Sequence, residues 1–227
     1  MKPIHSVRPK SFKKKEFLVY IFNIIRIIFN GNRFNRLSIE VANQIKMINK
    51  ILKKKTILLD YGCGSMSFST YLYKKKIIKK STCVDTYALN LRTKNKIKYY
   101  SIDQLERMKI SHKYFDVLIL IDVLHHMGID DSYIFLKKVS KISKFILIKD
   151  HFEHGFFSRH LLRFVDFFGN YSEGVNVPKK YFNYLSWAKT IKKSGLKQII
   201  IKKKFQQHDG LFNFILHKKH HFISILK

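Results

Sequence analysis

The sequence predicts an α/β fold in which helices cover a mostly parallel β-sheet. The first observation is that short β-rich runs alternate with helical patterns from about Thr56 to Asp150. Such alternation is typical of βα units, whose consecutive strands run parallel. The second is the run FDVLILID, which is apolar on both faces, as a central strand covered on both sides must be.

Each predicted element in this region follows one of two patterns. Strands are short runs rich in Ile, Leu, Val, Thr and Tyr, and helices repeat apolar residues every three or four positions. In chain order the predicted strands are TILLDYG, STCVDTY, IKYYSI, FDVLILID and KFILIKD. The predicted helices between them are SFSTYLYKKKI, DQLERMK and DSYIFLKKVSKI.

The N-terminal part of the chain has a different pattern. Helical patterns at about Glu16–Phe29 and Leu37–Leu52 are separated by the turn-like stretch NGNRFN. We interpret residues 1–54 as a basic helical extension and residues 55–227 as one domain, since no Pro- or Gly-rich linker divides the chain.

The alternation also breaks after Asp150. The helical run FFSRHLLRFVDFFGN and the loop YSEGVNVP predict a lid-like insert at about residues 152–180. A helix that ends at Gly195 follows. KQIIIKKK and LFNFILHKKH then predict a terminal strand pair, joined by a loop with Asp209 and Gly210.

The composition is globular but strongly basic. Hydrophobic residues make up 46% of the 227 positions, and 45 Lys and Arg face 15 Asp and Glu, for a net charge of +30. Such a surface attracts polyanions such as nucleic acid and anionic lipid. The lysines occur in short scattered runs, which also fits a compositional preference spread over solvated faces. Both interpretations stay open.

The apolar run Phe17–Phe29 raises the question of a membrane segment. As a helix it is about 20 Å long, against a hydrocarbon core of about 30 Å, and it contains Asn23 and Arg26. A spanning helix is not predicted, and no small-residue cleavage site marks a signal peptide. Two interpretations remain: a helix packed on the domain, or an amphipathic helix in peripheral contact with anionic lipid. The predicted location is cytoplasmic, with membrane association under the second interpretation.

No metal site is predicted. Cys63 and Cys83 show neither a disulfide framework nor metal-ligand spacing, and the eleven histidines occur singly or in pairs without such spacing. We interpret Cys63 as a packing residue and not as a nucleophile.

The clearest functional signal is the stretch ILLDYGCGSM. A predicted strand ends at Asp60 and is followed by Gly62 and Gly64. Glycines between a strand and a helix let a ligand approach the backbone closely, because a side chain would fill that space. The stretch lacks the third glycine of a dinucleotide fingerprint, and no phosphate-loop lysine follows it.

Three further acidic residues lie at predicted strand ends. At Asp85, after the second strand, a carboxylate can accept hydrogen bonds from both hydroxyls of a ribose. Asp103 follows the third strand, where it is placed to meet an adenine edge or, alternatively, to cap a helix. Asp122 ends the fourth strand, before VLHHM. We expect these groups to share one edge of the sheet.

Taken in order, the stretches LLDYGCGSMSFSTYL, CVDTY, SID and FDVLILIDVLHHM resemble the class I S-adenosylmethionine-dependent methyltransferases, small-molecule branch. The resemblance covers about Thr56–Asp150. It implies a doubly wound, seven-stranded, Rossmann-like sheet with its last strand antiparallel, and S-adenosylmethionine as the cofactor.

The resemblance also implies a set of cofactor-binding residues at the strand ends, namely Asp60, Gly62, Gly64, Asp85, Asp103 and Asp122. The first three would form the cradle, the next two would bind the ribose hydroxyls and the adenine, and the last would lie near the methionine moiety. The chain departs from the family at Met66, where many members have glycine. This departure leaves a non-catalytic cofactor-binding protein as an alternative.

Methyl transfer asks little acid–base chemistry of a protein, because the sulfonium carries its own leaving group. The protein aligns the acceptor and excludes water, and a general base is needed only for a hydroxyl or a protonated amine. The predicted catalytic residues are His126 and His151, which follow the fourth and fifth strands. Asp150 is a candidate for orienting His151.

The predicted acceptor is a small molecule. The aromatic insert favours a hydrophobic or lipid-linked compound, although such residues also build plain cores. The charge of +30 keeps an RNA methyltransferase as an alternative. Nucleic acid is the weaker candidate partner, because DVLHHM stands where a base-methylating NPPY-type motif would be.

Overall fold

The computed structural model describes residues 32–86, 96–170, 176–208, 213 and 216–227. The predicted helix at Glu16–Phe29 and the predicted loop with Asp209 and Gly210 lie outside the described residues.

Seven strands form one sheet in the described chain. They are β1 (Thr56–Tyr61), β2 (Ile78–Asp85), β3 (Ile97–Ser101), β4 (Phe115–Ile121), β5 (Ser143–His151), β6 (Gln198–Lys203) and β7 (His221–Leu226). Their order across the sheet is β3-β2-β1-β4-β5-β7-β6. The first five strands pair in parallel, and β7 runs antiparallel to both β5 and β6. The predicted fold class, including the antiparallel last strand, is confirmed.

Helices cover both faces of this sheet. They are α1 (Arg33–Leu52), α2 (Ser67–Lys74), α3 (Ile102–Arg107), α4 (Leu124–Met127), α5 (Ile129–Val139), α6 (Phe156–Asn170) and α7 (Tyr184–Ser194). Apolar residues of α5 and α7 pack on one face, and those of α1 and α2 pack on the other. As predicted, α7 ends at Gly195, which adopts the left-handed conformation with φ of 71°.

Helix α1 lies in the predicted N-terminal extension, yet it is part of the core. Leu37, Val41, Ile45 and Ile48 recur at helical spacing and are at most 1% exposed. They pack with buried residues of β1, β4 and β5. The described part of the extension therefore completes one face of the sheet.

The predicted position of the last strand was wrong. The strand lies at His221–Leu226, directly after LFNFILHKKH, and the described residues Lys218–His220 of that stretch form a single 3₁₀ turn. All six residues of β7 are buried, because the strand lies between β5 and β6. A short strand buried on both faces lacks the polar alternation that marks a strand in a sequence.

Among the described residues, no helix combines the length and the apolarity that crossing a bilayer requires.

Candidate functional site

The glycine loop and the acidic ends of β1 and β2 meet at the carboxyl edge of the sheet. The amides of Gly62 and Cys63 donate to the Val84 carbonyl oxygen at 2.8 and 3.2 Å, which draws the loop against the end of β2. The Gly64 amide donates to Asp85 Oδ2 at 2.7 Å. The structure therefore brings Asp85 and the glycine loop together, as the sequence predicts.

The two glycines of this loop are needed for different reasons. Gly62 has φ of +74°, and a Cβ there would lie 2.5 Å from Val123 Cγ2, so the loop passes directly against the segment that follows β4. Gly64 has φ of +48°, and a Cβ there would meet no atom within 4 Å. A ligand can therefore approach the backbone at Gly64, which fits the cofactor cradle that the sequence predicts.

Met66 stands where glycine is common in the family that the sequence resembles. It has φ of 59° and precedes the first residue of α2. This left-handed conformation costs a non-glycine residue free energy, which accounts for the preference for glycine. The Met66 side chain is 8% exposed and packs with Cys63, Cys83 and Ile97.

The same cluster explains Cys63. Its contact with Cys83, together with burial, raises the pKa of the Cys63 thiol far above its ordinary value. A thiol that resists ionisation is a poor nucleophile. The interpretation of Cys63 as a packing residue agrees with this environment.

Asp60 lies beneath the glycine loop. It is 2% exposed, and Ser69 Oγ donates to its Oδ2 at 2.7 Å. Burial raises the pKa of Asp60 to about 6, against the opposing effect of the Ser69 hydrogen bonds. Its carboxylate therefore ionises at an unusual cost in free energy.

This environment predicts a pH-dependent effect of Asp60→Asn. Between about pH 4 and pH 6 the folded protein binds a proton at Asp60 that the unfolded chain does not bind, so stability from this group falls as pH rises. Asparagine never ionises. The substitution changes the free energy of unfolding by a different amount at each pH. We expect this change to be more stabilising at neutral pH than at about pH 4, by roughly 2–3 kcal/mol. Urea titrations of both proteins at the two pH values measure this difference, and an equal effect at both would contradict it.

Asp85 keeps hydrogen-bonding capacity for a ligand. Its Oδ2 accepts from Gly64, and its Oδ1 accepts from the Thr86 amide at 2.7 Å and the Thr86 hydroxyl at 3.1 Å. Because a carboxylate offers about four lone-pair positions, at least one remains for a sugar hydroxyl.

Asp103 is exposed and lies in the first turn of α3. The alternative role of Asp103 as a helix cap was wrong, because Ser101 is the N-cap residue. Ser101 Oγ accepts from the Gln104 amide at 3.2 Å, and the Gln104 side chain accepts from the Ser101 amide at 2.8 Å. The Asp103 carboxylate is therefore not used in capping.

Asp122, at the end of β4, is surrounded by basic side chains. Lys149 Nζ lies 2.5 Å from its Oδ1, Arg33 binds its Oδ2, and His151 Nδ1 lies 3.4 Å from Oδ1. Although burial opposes it, these neighbours hold the pKa of Asp122 well below its usual range. Arg33 reaches the site from α1, 89 positions earlier in the chain, so no local sequence pattern could have indicated it.

Asp150 holds His125 and also lies close to His151, so its role in orienting His151 stays a prediction. The His125 Nδ1 lies 2.6 Å from Asp150 Oδ1, and the His125 amide donates to Asp150 Oδ2 at 3.2 Å. The nearest His151 ring nitrogen is 3.6 Å from Asp150. His151 Nδ1 thus lies near two carboxylates, 3.4 Å from Asp122 and 3.6 Å from Asp150.

A second carboxylate reaches His125 from the insert. Asp166 Oδ2, on α6, lies 3.3 Å from His125 Nε2 and accepts a hydrogen bond from the Tyr181 hydroxyl at 2.5 Å. Burial disfavours a charged His125, but Asp150 and Asp166 together raise its pKa well above the ordinary value. We call these four residues the His125 clamp. The clamp holds α6 against the sheet.

His126 lies next to the clamp, and its ring is held neutral where that of His125 is held charged. Its Nδ1 lies 3.1 Å from the Asn176 carbonyl oxygen. Since a carbonyl can only accept, Nδ1 carries the proton and Nε2 is the basic nitrogen. Burial, followed by the nearby charge of His125, lowers the pKa of His126 to about 4. His126 is therefore a neutral imidazole at physiological pH.

His151 is also held neutral, but in a more crowded setting. Burial and the neighbouring Lys149 lower its pKa. The Lys149 ammonium lies 3.5 Å from His151 Nε2, and Nδ1 has no hydrogen-bond partner. Both predicted catalytic histidines thus lie at the same edge of the sheet.

The insert is anchored and presents aromatic side chains to solvent. Arg159 binds Glu153 through two hydrogen bonds of 2.8 and 2.6 Å, and Glu153 also accepts from the Tyr181 amide at 3.0 Å. Four phenylalanines on α6 are exposed, by 41 to 88%, namely Phe156, Phe157, Phe164 and Phe167.

Two trios of side chains bring potential metal ligands within 4.8 Å of one another: His125, Asp150 and His151, and His125, His126 and Asp166. Hydrogen bonds and opposite charges within the His125 clamp account for the approach of Asp150 and of Asp166 to His125. The absence of a metal stays a prediction.

Comparison with known proteins finds a matching domain family for part of the chain. Residues 59–144 match the sequence profile described as "Methyltransferase domain". This match, together with the shared fold, supports similarity to the class I S-adenosylmethionine-dependent methyltransferases. The family uses S-adenosylmethionine as its cofactor, and the open backbone at Gly64 beside Asp85 fits that group. Among curated protein sequences, none is significantly similar to this chain.

Solved structures show the same fold at low sequence identity. A SAM-dependent methyltransferase from Archaeoglobus fulgidus is 16% identical, with a TM-score of 0.59 over 91% of this chain and 99% of that chain. The 1,6-didemethyltoxoflavin-N1-methyltransferase of Burkholderia thailandensis is 11% identical, with a TM-score of 0.56 over 97% and 92%. The plantazolicin methyltransferase BamL is 10% identical, with a TM-score of 0.59 over 95% and 91%.

Proposed function

We propose that this protein transfers the methyl group of S-adenosylmethionine to a small-molecule acceptor of hydrophobic or lipid-linked character. The observation that carries the proposal is the contact between Gly62 and Val123. Through it the glycine loop, beside the ribose-binding candidate Asp85, lies directly against the segment that leads into His126. A cofactor site and a neutral base thus adjoin at one edge of the sheet.

The cofactor supplies the methyl group and its own leaving group. The chain's own residues bind and orient the cofactor. Asp85 accepts hydrogen bonds from the ribose hydroxyls, Asp103 faces the adenine, and Asp60 lies beneath the glycine loop and supports it. The cation-rich surroundings of Asp122 lie where the methionine moiety is expected. Helix α6, held by the His125 clamp, limits the access of water to the acceptor.

His126 is the stronger candidate for the general base, and His151 the weaker one. His126 presents an unprotonated Nε2, because its Nδ1 is committed to the Asn176 carbonyl. It can take a proton from an acceptor hydroxyl or amine at that atom. His151 has the Lys149 ammonium near one ring nitrogen, which disfavours a positive charge on the ring.

The character of the acceptor is inferred from α6. Its exposed phenylalanines offer an apolar surface on the helix that carries Asp166, which suits a hydrophobic compound. The neighbours from Burkholderia thailandensis and BamL act on a toxoflavin precursor and on plantazolicin, as their names state, and both support a small acceptor. The proposal also includes a cytoplasmic location. It further includes peripheral contact of the predicted N-terminal helix with a membrane.

The direct test is transfer of labelled methyl from S-adenosylmethionine into a fractionated cell extract. We expect label in the lipid or small-metabolite fraction. Label in RNA would favour the alternative of an RNA methyltransferase. Calorimetric binding of S-adenosylmethionine without any transfer would favour a non-catalytic cofactor-binding protein.

Asp85→Asn is expected to weaken S-adenosylmethionine binding about tenfold, because one charged acceptor for the ribose hydroxyls becomes a neutral amide. Isothermal titration calorimetry measures the dissociation constant. Asp131→Asn, at an exposed position of α5, is the matched control and should bind like the unaltered protein. Equal affinities for the Asp85 variant and the control would remove Asp85 from the cofactor site.

A further inference from the structure

A second cleft lies away from the proposed methyl-transfer site. It has a volume of about 500 Å³ and is bounded by β2, β3, the end of α3 and the start of β4. Lys80 lines it and lies five positions before Asp85 on β2, which is about 17 Å along a strand. We call it the basic cleft. Its other end reaches Tyr100, which pairs with Val84 next to Asp85, so only the end lined by Lys80 is far from the proposed methyl-transfer site.

Strand alternation explains why the cleft is polar. Lys96, Lys98 and Tyr100 line it at every second position of the β3 segment, and Lys80, Ser81 and Thr82 line it on β2. The intervening residues of β3 pack on the other face of the sheet, in the cluster with Cys63 and Met66. An α/β sheet usually buries both faces under apolar side chains. Here α3 is only six residues long and leaves this edge open.

The cleft gathers positive charge without a counter-charge. Four lysines line it, namely Lys80, Lys96, Lys98 and Lys109, and its lining includes no Asp or Glu. In the described part of the chain, none of these four forms an ion pair with a carboxylate. Like charges held together repel one another, so an anion that binds among them relieves this cost. Phosphate is a strong match for several ammonium groups at once.

An aromatic and apolar wall stands beside the lysines. Tyr114 is 41% exposed, and Lys80 Nζ fixes its position by donating to its hydroxyl at 2.7 Å. Met108 is 37% exposed, and both residues line the cleft. A lipid phosphate or an inorganic anion would leave this wall unused, whereas a base stacks on it. Base–aromatic stacking beside basic groups is the usual basis of binding to single-stranded nucleic acid.

We propose that the basic cleft binds a nucleotide, with its phosphate among the lysines and its base against Tyr114 and Met108. The volume is that of an ordinary small-molecule site. The nucleotide can be free or part of a single RNA strand. The site is separate from methyl transfer and does not depend on the proposed function.

The test uses the full chain and two probes, fluorescein-labelled uridine monophosphate and a short labelled oligouridylate, with fluorescence anisotropy as the readout. We expect the double variant Lys96→Gln/Lys98→Gln to bind at least about tenfold more weakly, as the loss of two phosphate contacts predicts. The salt dependence of its affinity for the oligouridylate should fall by about 1.4 units of slope. Tyr114→Ala should also weaken binding.

Controls separate this site from the general charge of the chain. Lys74→Gln/Lys75→Gln removes two exposed lysines near the end of α2, so it changes the net charge by the same amount as the test variant. Because these lysines do not line the cleft, both affinities should stay within about twofold. Thermal melting checks that every variant is folded. Binding of the mononucleotide identifies a free-nucleotide site, and binding of the oligouridylate alone identifies an RNA site. Equal losses in both double variants, or competition by anionic phosphatidylglycerol vesicles as strong as that by unlabelled oligouridylate, would overturn the proposal.

Discussion

Replacing Asp150 with alanine is expected to destabilise the fold by about 3–5 kcal/mol, the usual cost of removing one partner from a buried ion pair. Asp150 is 0% exposed, and its carboxylate accepts from the His125 ring, the His125 amide and the His151 amide. Alanine would leave these groups without a partner in a site that water does not reach. The charged His125 would also lose the stronger of its two counter-charges.

Urea unfolding followed by tryptophan fluorescence measures this loss, because the single tryptophan, Trp187, is 2% exposed and packs in the core. Asp150→Asn keeps the shape and one acceptor, so it should cost less than alanine. Asp131→Ala, on the exposed side of α5, is the matched control and should cost under about 1 kcal/mol. A loss at Asp150 no greater than that of the control would mean that the His125 clamp does not hold the fold together.

His126→Gln is expected to lower kcat by about 10²–10⁴-fold, the usual contribution of a positioned general base. The dissociation constant of S-adenosylmethionine should not change, because His126 is not among the residues proposed to bind it. The pKa of His126 is about 4, so the unprotonated base persists throughout the neutral range. The kcat of the unaltered enzyme should therefore be flat near neutral pH and fall only as pH approaches that value.

The assay is transfer of labelled methyl to the acceptor that the extract experiment identifies. His112→Gln, at an exposed position before β4, is the matched control and should retain full activity. His151→Gln should lower kcat less than His126→Gln, given the Lys149 ammonium beside its ring. An acid limb centred on the ordinary histidine pKa, or a larger effect at His151, would assign the base to another residue.

The strand-end residues were predictable because their positions depend on local pattern. Asp60 and Asp85 each end an apolar run, and parallel strands place such ends at one edge of the sheet. The glycine loop was predictable for the same reason. Two glycines between a strand and a helix indicate a tight loop that leaves space beside the backbone. The antiparallel last strand was implied by family resemblance, while its exact residues were missed because β7 is buried on both faces.

The partners of His125 could not be predicted. Asp150 and His151 are adjacent in the chain and both lie against His125, yet no local pattern showed that Asp150 would bind the His125 ring. Asp166 lies in the insert, and no local sequence pattern indicated that it would contact His125. Arg33 lies in a segment that seemed to be an extension, and packing of α1 brings it to Asp122.

By itself the sequence determined the order of strands and helices, the glycine loop and the acidic strand ends, because these follow from the periodicity of neighbouring residues. Only the tertiary structure decided which histidine is charged and which is neutral. That choice depends on burial and on carboxylates that arrive from distant segments, and the free energy of a buried charge is set by its spatial neighbours and not by its neighbours in the chain.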